Sequence, residues 1–345
     1  MAASTVHGGD RMTRLDSLRA FLQWLGSPGW MLAFFVFAIA SALVALQQPD
    51  WITAVWVVPL GVFAISLLAA VATNARLRRD PALLGLHLGL LALVVLVALA
   101  RLTYLDGAVT LTQGNAFDGQ LHLDRRGPLH SGPIAQLRFA NEGFTEDFYT
   151  GARWKSTYNR VRWWDASGAS QVAEIGDDRP LLLGGYRIYT SFNRGYSPTF
   201  SWQPVQGGEE VGTVQLRAGE LDMANDWQLP GGPKIWAMLD LPTPATLAPG
   251  ERRANLNAAQ IAHSLVIRAG ARREVLQQGQ SMDFEQGRLT YLSLSSWMGY
   301  RVIYDVAMYW MASATVLVVA CMMAFYARLL GRNWTDKPEG EAACD

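Results

Sequence analysis

The chain contains five histidines, and His87 alone among them lies inside a long apolar run. Four such runs, residues 29–47, 52–73, 82–100 and 306–327, otherwise hold no Asp, Glu, Lys, Arg or His. An imidazole at membrane depth must hydrogen-bond or ligate something to offset its lost hydration. Two readings follow from the residue itself. His87 bonds a Ser or backbone carbonyl of a neighbouring span, as polar residues in helix bundles do, or a neutral ring nitrogen ligates a metal, most simply a haem iron. Gly85 and Gly89 stand two residues to either side. Small residues there let a flat macrocycle approach the helix, and they equally mark close packing between membrane helices. The runs supply no second histidine, so a bis-histidine haem would take its other ligand from another chain. That predicts a membrane partner.

The remaining candidates are weaker. His122 and His130 sit in a turn-rich stretch after the third run, His263 is remote, and no spacing resembles a zinc or catalytic set. Trp163, Trp164 and Asp165 invite a haem-contact reading, but they lie on an alternating stretch that runs into a turn, where aromatic residues pack against a second sheet. Phosphate-loop, dinucleotide, serine-hydrolase and zinc-protease patterns are absent. So is a C-x-x-C-H, so the chain is not itself a c-type cytochrome. Its two cysteines, Cys321 and Cys344, offer no disulfide framework.

Each apolar run meets the length of roughly 20 residues that a spanning helix needs. Arg11, Arg14 and Arg19 precede the first run, Arg76, Arg78 and Arg79 join the second to the third, and Arg328, Arg332 and Lys337 follow the fourth. Lys and Arg in short connections stay on the inner side. This predicts cytoplasmic termini, a cytoplasmic second connection, and a large domain outside the inner (cytoplasmic) membrane. The first run is longer than a signal-peptide core and a second follows at once, which argues against cleavage. Leu15, Leu18, Phe21, Leu22 and Leu25 recur at helical spacing and suggest an amphipathic helix on the inner membrane surface. Pro59 is expected to kink the second span.

From Thr103 the period changes. Residues 156–164 and 186–192 alternate between two faces, and turn signals fall at Gly184-Gly185, Gly207-Gly208, Gly231-Gly232, Pro249-Gly250 and Gln278-Gly279. The expected fold is therefore four transmembrane helices, three N-terminal and one C-terminal, with one mainly antiparallel, sandwich-like β domain. The divisions are a lead-in at 1–28, helices at 29–101, a β-rich domain at 102–302, a fourth span at 303–327 and a tail at 328–345. Residues 255–262 have helical local character, and only the last dozen residues read as disordered. From Arg101 to Arg301, 20 Lys plus Arg balance 20 Asp plus Glu, which excludes a nucleic-acid footprint.

The stretch GLHLGLLALVVLVALARLTYLDGAVTLTQGNAFDG resembles the third span and following strand of the ResB family, also called CcsB, of system II cytochrome c biogenesis. GARWKSTYNRVRWWDASG is similar to a later family block, and IGDDRPLLLGGYRIYTSF matches another through Pro180, Leu181, Gly185, Tyr186 and Tyr189. Departures at Asp177-Asp178-Arg179, at Thr190 and at Trp297-Met298-Gly299-Tyr300 mark a divergent, short member. The resemblance implies a haem-handling subunit that pairs with a CcsA-type (ResC) membrane protein and serves an apocytochrome c. His87 would be one axial ligand of a b-type haem shared with that partner. It implies a subunit of a cytochrome c synthetase (haem lyase) assembly rather than an enzyme alone. The competing reading is a membrane scaffold or sensor whose outer β domain binds a protein.

Overall fold

The computed structural model describes residues 17, 19–47, 51–149, 153–217, 224–240, 253–255, 258 and 262–335. The chain divides into two compact units, one formed by Met1–Tyr104, Arg126–Ser131 and Asp305–Asp345, the other by Leu105–Arg125 and Gly132–Tyr304.

The first unit is helical because lipid offers no partner for backbone polar groups, so an apolar segment must satisfy its own. Its helices are α1 (Pro28–Gln47), α2 (Ile52–Thr73), α3 (Ala75–Arg79), α4 (Pro81–Thr103) and α5 (Met308–Thr335). Helix α2, helix α4 and the Met308–Gly331 portion of α5 are 22, 23 and 24 residues long and apolar enough to cross a membrane. At about 1.5 Å per residue each exceeds the roughly 30 Å hydrocarbon layer. Helix α1 adds 20 residues without a charge. The chain is thus a multi-pass membrane protein. Helix α2 continues through Pro59 without a break.

Polar side chains punctuate these helices. The Asn74 side chain accepts from Arg76 N at 3.0 Å to start α3, and Asp80 accepts from Ala82 N at 2.9 Å and Leu83 N at 3.3 Å to start α4, with Pro81 at its first position. Before α1, residues 19–25 are helical, and Ser66 of α2 donates to the Leu25 carbonyl at 2.7 Å. Phe21 and Trp24 on that lead-in are exposed. Phe34 of α1 stacks on Phe63 of α2 with ring centroids 4.8 Å apart.

Glycines set the closest approach between α4 and α5. A methyl group on Gly85 would lie 2.6 Å from the Cys321 sulfur, and one on Gly89 would lie 2.6 Å from Val318 Cγ2. The small side chains therefore let the two helices touch, the usual device where no hydrophobic effect drives association.

The second unit is built from strands, and its main ladders are antiparallel. In chain order they begin with β1 (Leu105–Thr112), β2 (Leu123–Arg126), β3 (Phe139–Tyr149), β4 (Arg153–Trp164), β5 (Ser170–Gly176), β6 (Leu181–Leu183), β7 (Tyr186–Pro204) and β8 (Glu210–Thr213). They continue with β9 (Leu216–Arg217), β10 (Ala224–Gln228), β11 (Lys234–Asp240), β12 (Arg253–Asn255), β13 (Ser264–Ala269), β14 (Arg272–Leu276), β15 (Ser281–Phe284) and β16 (Gly287–Tyr304). One sheet runs β2-β1-β16-β7-β6, with β15 on β16 and with β8 and β9 on β7. Two four-stranded sheets run β12-β3-β4-β5 and β10-β11-β13-β14.

The ladder of β7 on β16 pairs Tyr186 with Tyr304 at one end and Pro204 with Gly287 at the other. Its register shifts between Met298 and Tyr300, where residues 191–193 bulge opposite Gly299. A methyl group on Gly299 would meet Asn193 O at 2.9 Å, so glycine is required for the bulge to close.

The ladder spans two apolar cores. Phe139, Tyr186, Ile188, Tyr300 and Val302 anchor the first, and Tyr196, Trp202, Ile235, Leu265 and Tyr291 anchor the second. One set of buried polar groups is bonded within itself: Tyr300 OH donates to Asn159 Oδ1 at 2.8 Å, and Asn159 Nδ2 donates to Asn141 Oδ1 at 2.8 Å and Gly143 O at 2.7 Å. Glu146 and Arg194 form a buried ion pair. Burial raises the Tyr300 phenol well above its ordinary range.

The strands expected at 156–164 and 186–192 are β4 and the start of β7. Gly184-Gly185 forms the β6–β7 turn with φ of +60° and +84°, which glycine adopts without strain. Pro249-Gly250, the last ten residues and most of 255–262 lie outside the described residues; within the last, Asn255 ends β12.

Two measurements check this packing. A methyl group on Gly85 would lie 3.8 Å from Cys321 Cβ, the separation that disulfides favour. Gly85→Cys should therefore cross-link to Cys321 on mild oxidation, seen as linked fragments after cleavage between α4 and α5; absence of the link would contradict the α4–α5 contact. Burial pushes the Tyr291 phenol up from 10.0 to about 12. Because the folded value is raised, its contribution is complete below pH 10 and is lost as pH rises through about 12. Tyr291→Phe should move the alkaline unfolding midpoint of the whole protein upward relative to its neutral-pH stability.

Candidate functional site

Helix α4 carries the one intramembrane imidazole, and its first turns position that residue. Asp80 caps the helix, Arg328 Nη1 of α5 lies 3.3 Å from its carboxylate, and the Arg78 guanidinium donates to Ala72 O at 2.7 Å to close the end of α2. The arginines expected in the second connection and after the fourth span thus meet at one end of the helices.

His87 is half-buried, two turns into α4. Its Nδ1 lies 2.8 Å from the carbonyl oxygen of Leu83, one turn back on the same helix. A carbonyl can only accept, so Nδ1 carries the proton. In the neutral ring the lone pair then sits on Nε2, which has no hydrogen-bond partner among the described residues. A backbone carbonyl holding Nδ1–H is the arrangement that fixes tautomer and ring direction for a metal-ligating Nε2.

Gly85 and Gly89 are not brought to the same flank as His87. Two residues along a helix is a rotation of about 200°, and both glycines face α5, their free space taken by Cys321 and Val318. Of the two roles open to them in the sequence, close helix packing is the one they occupy. Cys321 is a free thiol at that contact.

The other described histidines are dispersed. His122 is exposed. His130 Nδ1 is 2.9 Å from Thr103 O, and with Gly127 N on Tyr104 O and Leu129 N on Leu102 O, each at 2.9 Å, it satisfies carbonyls at the end of α4. His263 Nε2 is 2.7 Å from the Tyr291 hydroxyl. No group of three His, Cys, Asp or Glu side chains is gathered to hold a metal ion among the described residues. A multidentate site is therefore not formed there, whereas a group needing one axial nitrogen from this chain fits the donor available at His87.

Trp163 packs against the first apolar core, as its alternating strand required. Asp165 organises the following turn: its Oδ1 accepts from Ser167 Oγ at 2.5 Å, Ser167 N at 2.9 Å and Ala169 N at 3.0 Å. The Ser167 hydroxyl foremost, with these backbone N–H groups, holds the carboxyl below its ordinary value. This is turn chemistry.

The Leu83 carbonyl and the Asp80–Arg328 pair are the elements the sequence reading missed. Asp followed by Pro before an apolar run was the available signal for the cap; the ion pair had none, because Arg328 is remote in the chain. Asp80→Ala should lower stability by about 1 kcal/mol through loss of the cap. Unfolding of the full chain in detergent measures it, and an unchanged midpoint would count against the cap.

The ResB-like family matches residues 70–249, which includes α4 and more than half of the chain. No curated protein matches the sequence. Among solved structures, one titled "Cytochrome c Heme Lyase CcmF" is similar at 11% identity and a TM-score of 0.29, over 94% of this chain. This chain spans only 35% of that one, and so loose a superposition carries no argument. The family match, over a stretch that contains the histidine-bearing helix and most of the strands, shows that the chain belongs to the ResB-like family.

Proposed function

We propose that the chain is a haem-handling membrane subunit of a cytochrome c maturation complex, which exports haem and attaches it to an apocytochrome. The observation that carries this reading is the His87 ring, with Nδ1 committed to Leu83 O at 2.8 Å and Nε2 left as a ligand atom inside an apolar helix. His87 Nε2 would hold a b-type haem together with a ligand from a CcsA-type (ResC) partner, since this chain's apolar runs hold no other histidine. The bound haem supplies vinyl groups for thioether formation with the substrate's thiols.

This chain's residues hold and orient; they do not supply a nucleophile or an acid pair. Leu83 O keeps the imidazole in one tautomer, and the α4 cap and α4–α5 contact keep the helix in place. With Arg76, Arg78, Arg79 and Arg328 on the inner side, both termini are cytoplasmic and the β unit is periplasmic. Family membership supports the biological setting.

The test is His87→Ala, purified as the complex with its partner and read by visible absorption. The Soret band of this haem should be lost, while His122→Ala, an exposed position, should leave it intact. Retention of the full band in His87→Ala would defeat the assignment.

A further inference from the structure

The second unit contains a recess that the haem reading does not use. A cavity of about 160 Å³ is walled by Phe200, Trp202, Trp227 and Leu289, with Glu210 and Gly212 of β8 on its border. An apolar cavity on the order of 150 Å³ accommodates a benzene ring, so this one takes a single aromatic side chain.

Strand β8 has a second property. It pairs only with β7 among the described strands, and all four of its residues are exposed. Such an edge offers unpaired N–H and C=O groups to another chain, and proteins ordinarily blunt it with short strands, charged side chains or proline. Here the strand is Glu-Val-Gly-Thr. A methyl group on Gly212 would meet nothing within 4 Å, so no packing demand explains that glycine, and a glycine inside a strand marks a place where another backbone approaches. Glu209 bonds Ser201, whereas Glu210 has no ion-pair partner among the described residues.

We propose that β8 and this cavity bind an extended segment of an unfolded polypeptide. Its backbone adds a strand to the β8 edge, one aromatic side chain fills the cavity, and a Lys or Arg two residues before it meets Glu210. Main-chain bonds give such a site its affinity, and alternate side chains give it selectivity. The inference rests on the proposed attachment of haem to an apocytochrome, whose unfolded chain would be the occupant, and is independent of His87.

The probe is a fluorescein-labelled decapeptide of alternating Thr and Val with a central Lys-Thr-Phe, which puts Lys and Phe on one face. It is titrated into the full-length protein in detergent and followed by anisotropy. The wild type should bind it. Gly212→Phe places a ring into open space, so it should fold normally and weaken binding at least tenfold by filling the cavity. Glu210→Lys should weaken binding about threefold, as an exposed charge pair allows, and a peptide with Glu in place of Lys should show no such loss.

No binding by the wild type, or equal binding by Gly212→Phe, overturns the proposal. So does a change from dimer to monomer in Gly212→Phe on sedimentation, which would make a second copy the occupant. The haem spectrum of the same preparations judges the His87 assignment separately: intact haem with absent peptide binding rejects this site alone.

Discussion

One hydrogen bond governs what the half-buried imidazole of His87 can do. In a helix every interior carbonyl already accepts an N–H from one turn ahead, and the Leu83 carbonyl uses its second lone pair on His87 Nδ1. The bond is local and needs no other segment. It removes half of the ring's polarity from the account and aims the other half outward from the helix. A histidine bonded at both nitrogens would be a structural strut; bonded at one by a carbonyl, it is a directed base. The rest of the helical unit reads as support for that direction. Asp80 holds the helix start, Arg328 holds Asp80, and the glycines pull α5 onto the opposite flank.

The β unit obeys the same demand for satisfaction by longer routes. Asn141 and Asn159 come from the neighbouring strands β3 and β4 and Tyr300 from the remote β16, and each leaves a buried polar atom unless the others arrive. An unmade bond of this kind costs about 1–3 kcal/mol, so the network selects one register of β3 against β4 and one approach of β16. The β7–β16 ladder joins residues about a hundred positions apart and lies along both apolar cores. Its pairing closes the chain on itself late in sequence, a long-range contact that carries a large loop-closure cost and forms only with the cores.

Much of this was legible beforehand, for reasons visible in particular residues. The spanning helices announce themselves because 52–73 and 82–100 are apolar without interruption, and β4 and β7 because side chains at 156–164 and 186–192 alternate. His87 stands out for its surroundings. Gly85 and Gly89 were ambiguous, since a glycine beside a histidine reads the same whether it admits a ligand or a helix; only the placement of Cys321 and Val318 separates the two. The cavity beneath β8 left no trace, because Phe200, Trp202, Trp227 and Leu289 belong to three strands and pattern as ordinary core.

The sequence by itself determined which segments enter lipid, which alternate as strands, and that one ionisable ring sits among apolar neighbours. These follow from composition and period, which depend on nearest residues alone. Only the tertiary structure decided which face of α4 meets α5, the partner of Asp80, and the recess at the β8 edge. Those depend on directions in space between residues remote in the chain, and a linear pattern carries no direction until the helices rotate and the strands choose a register.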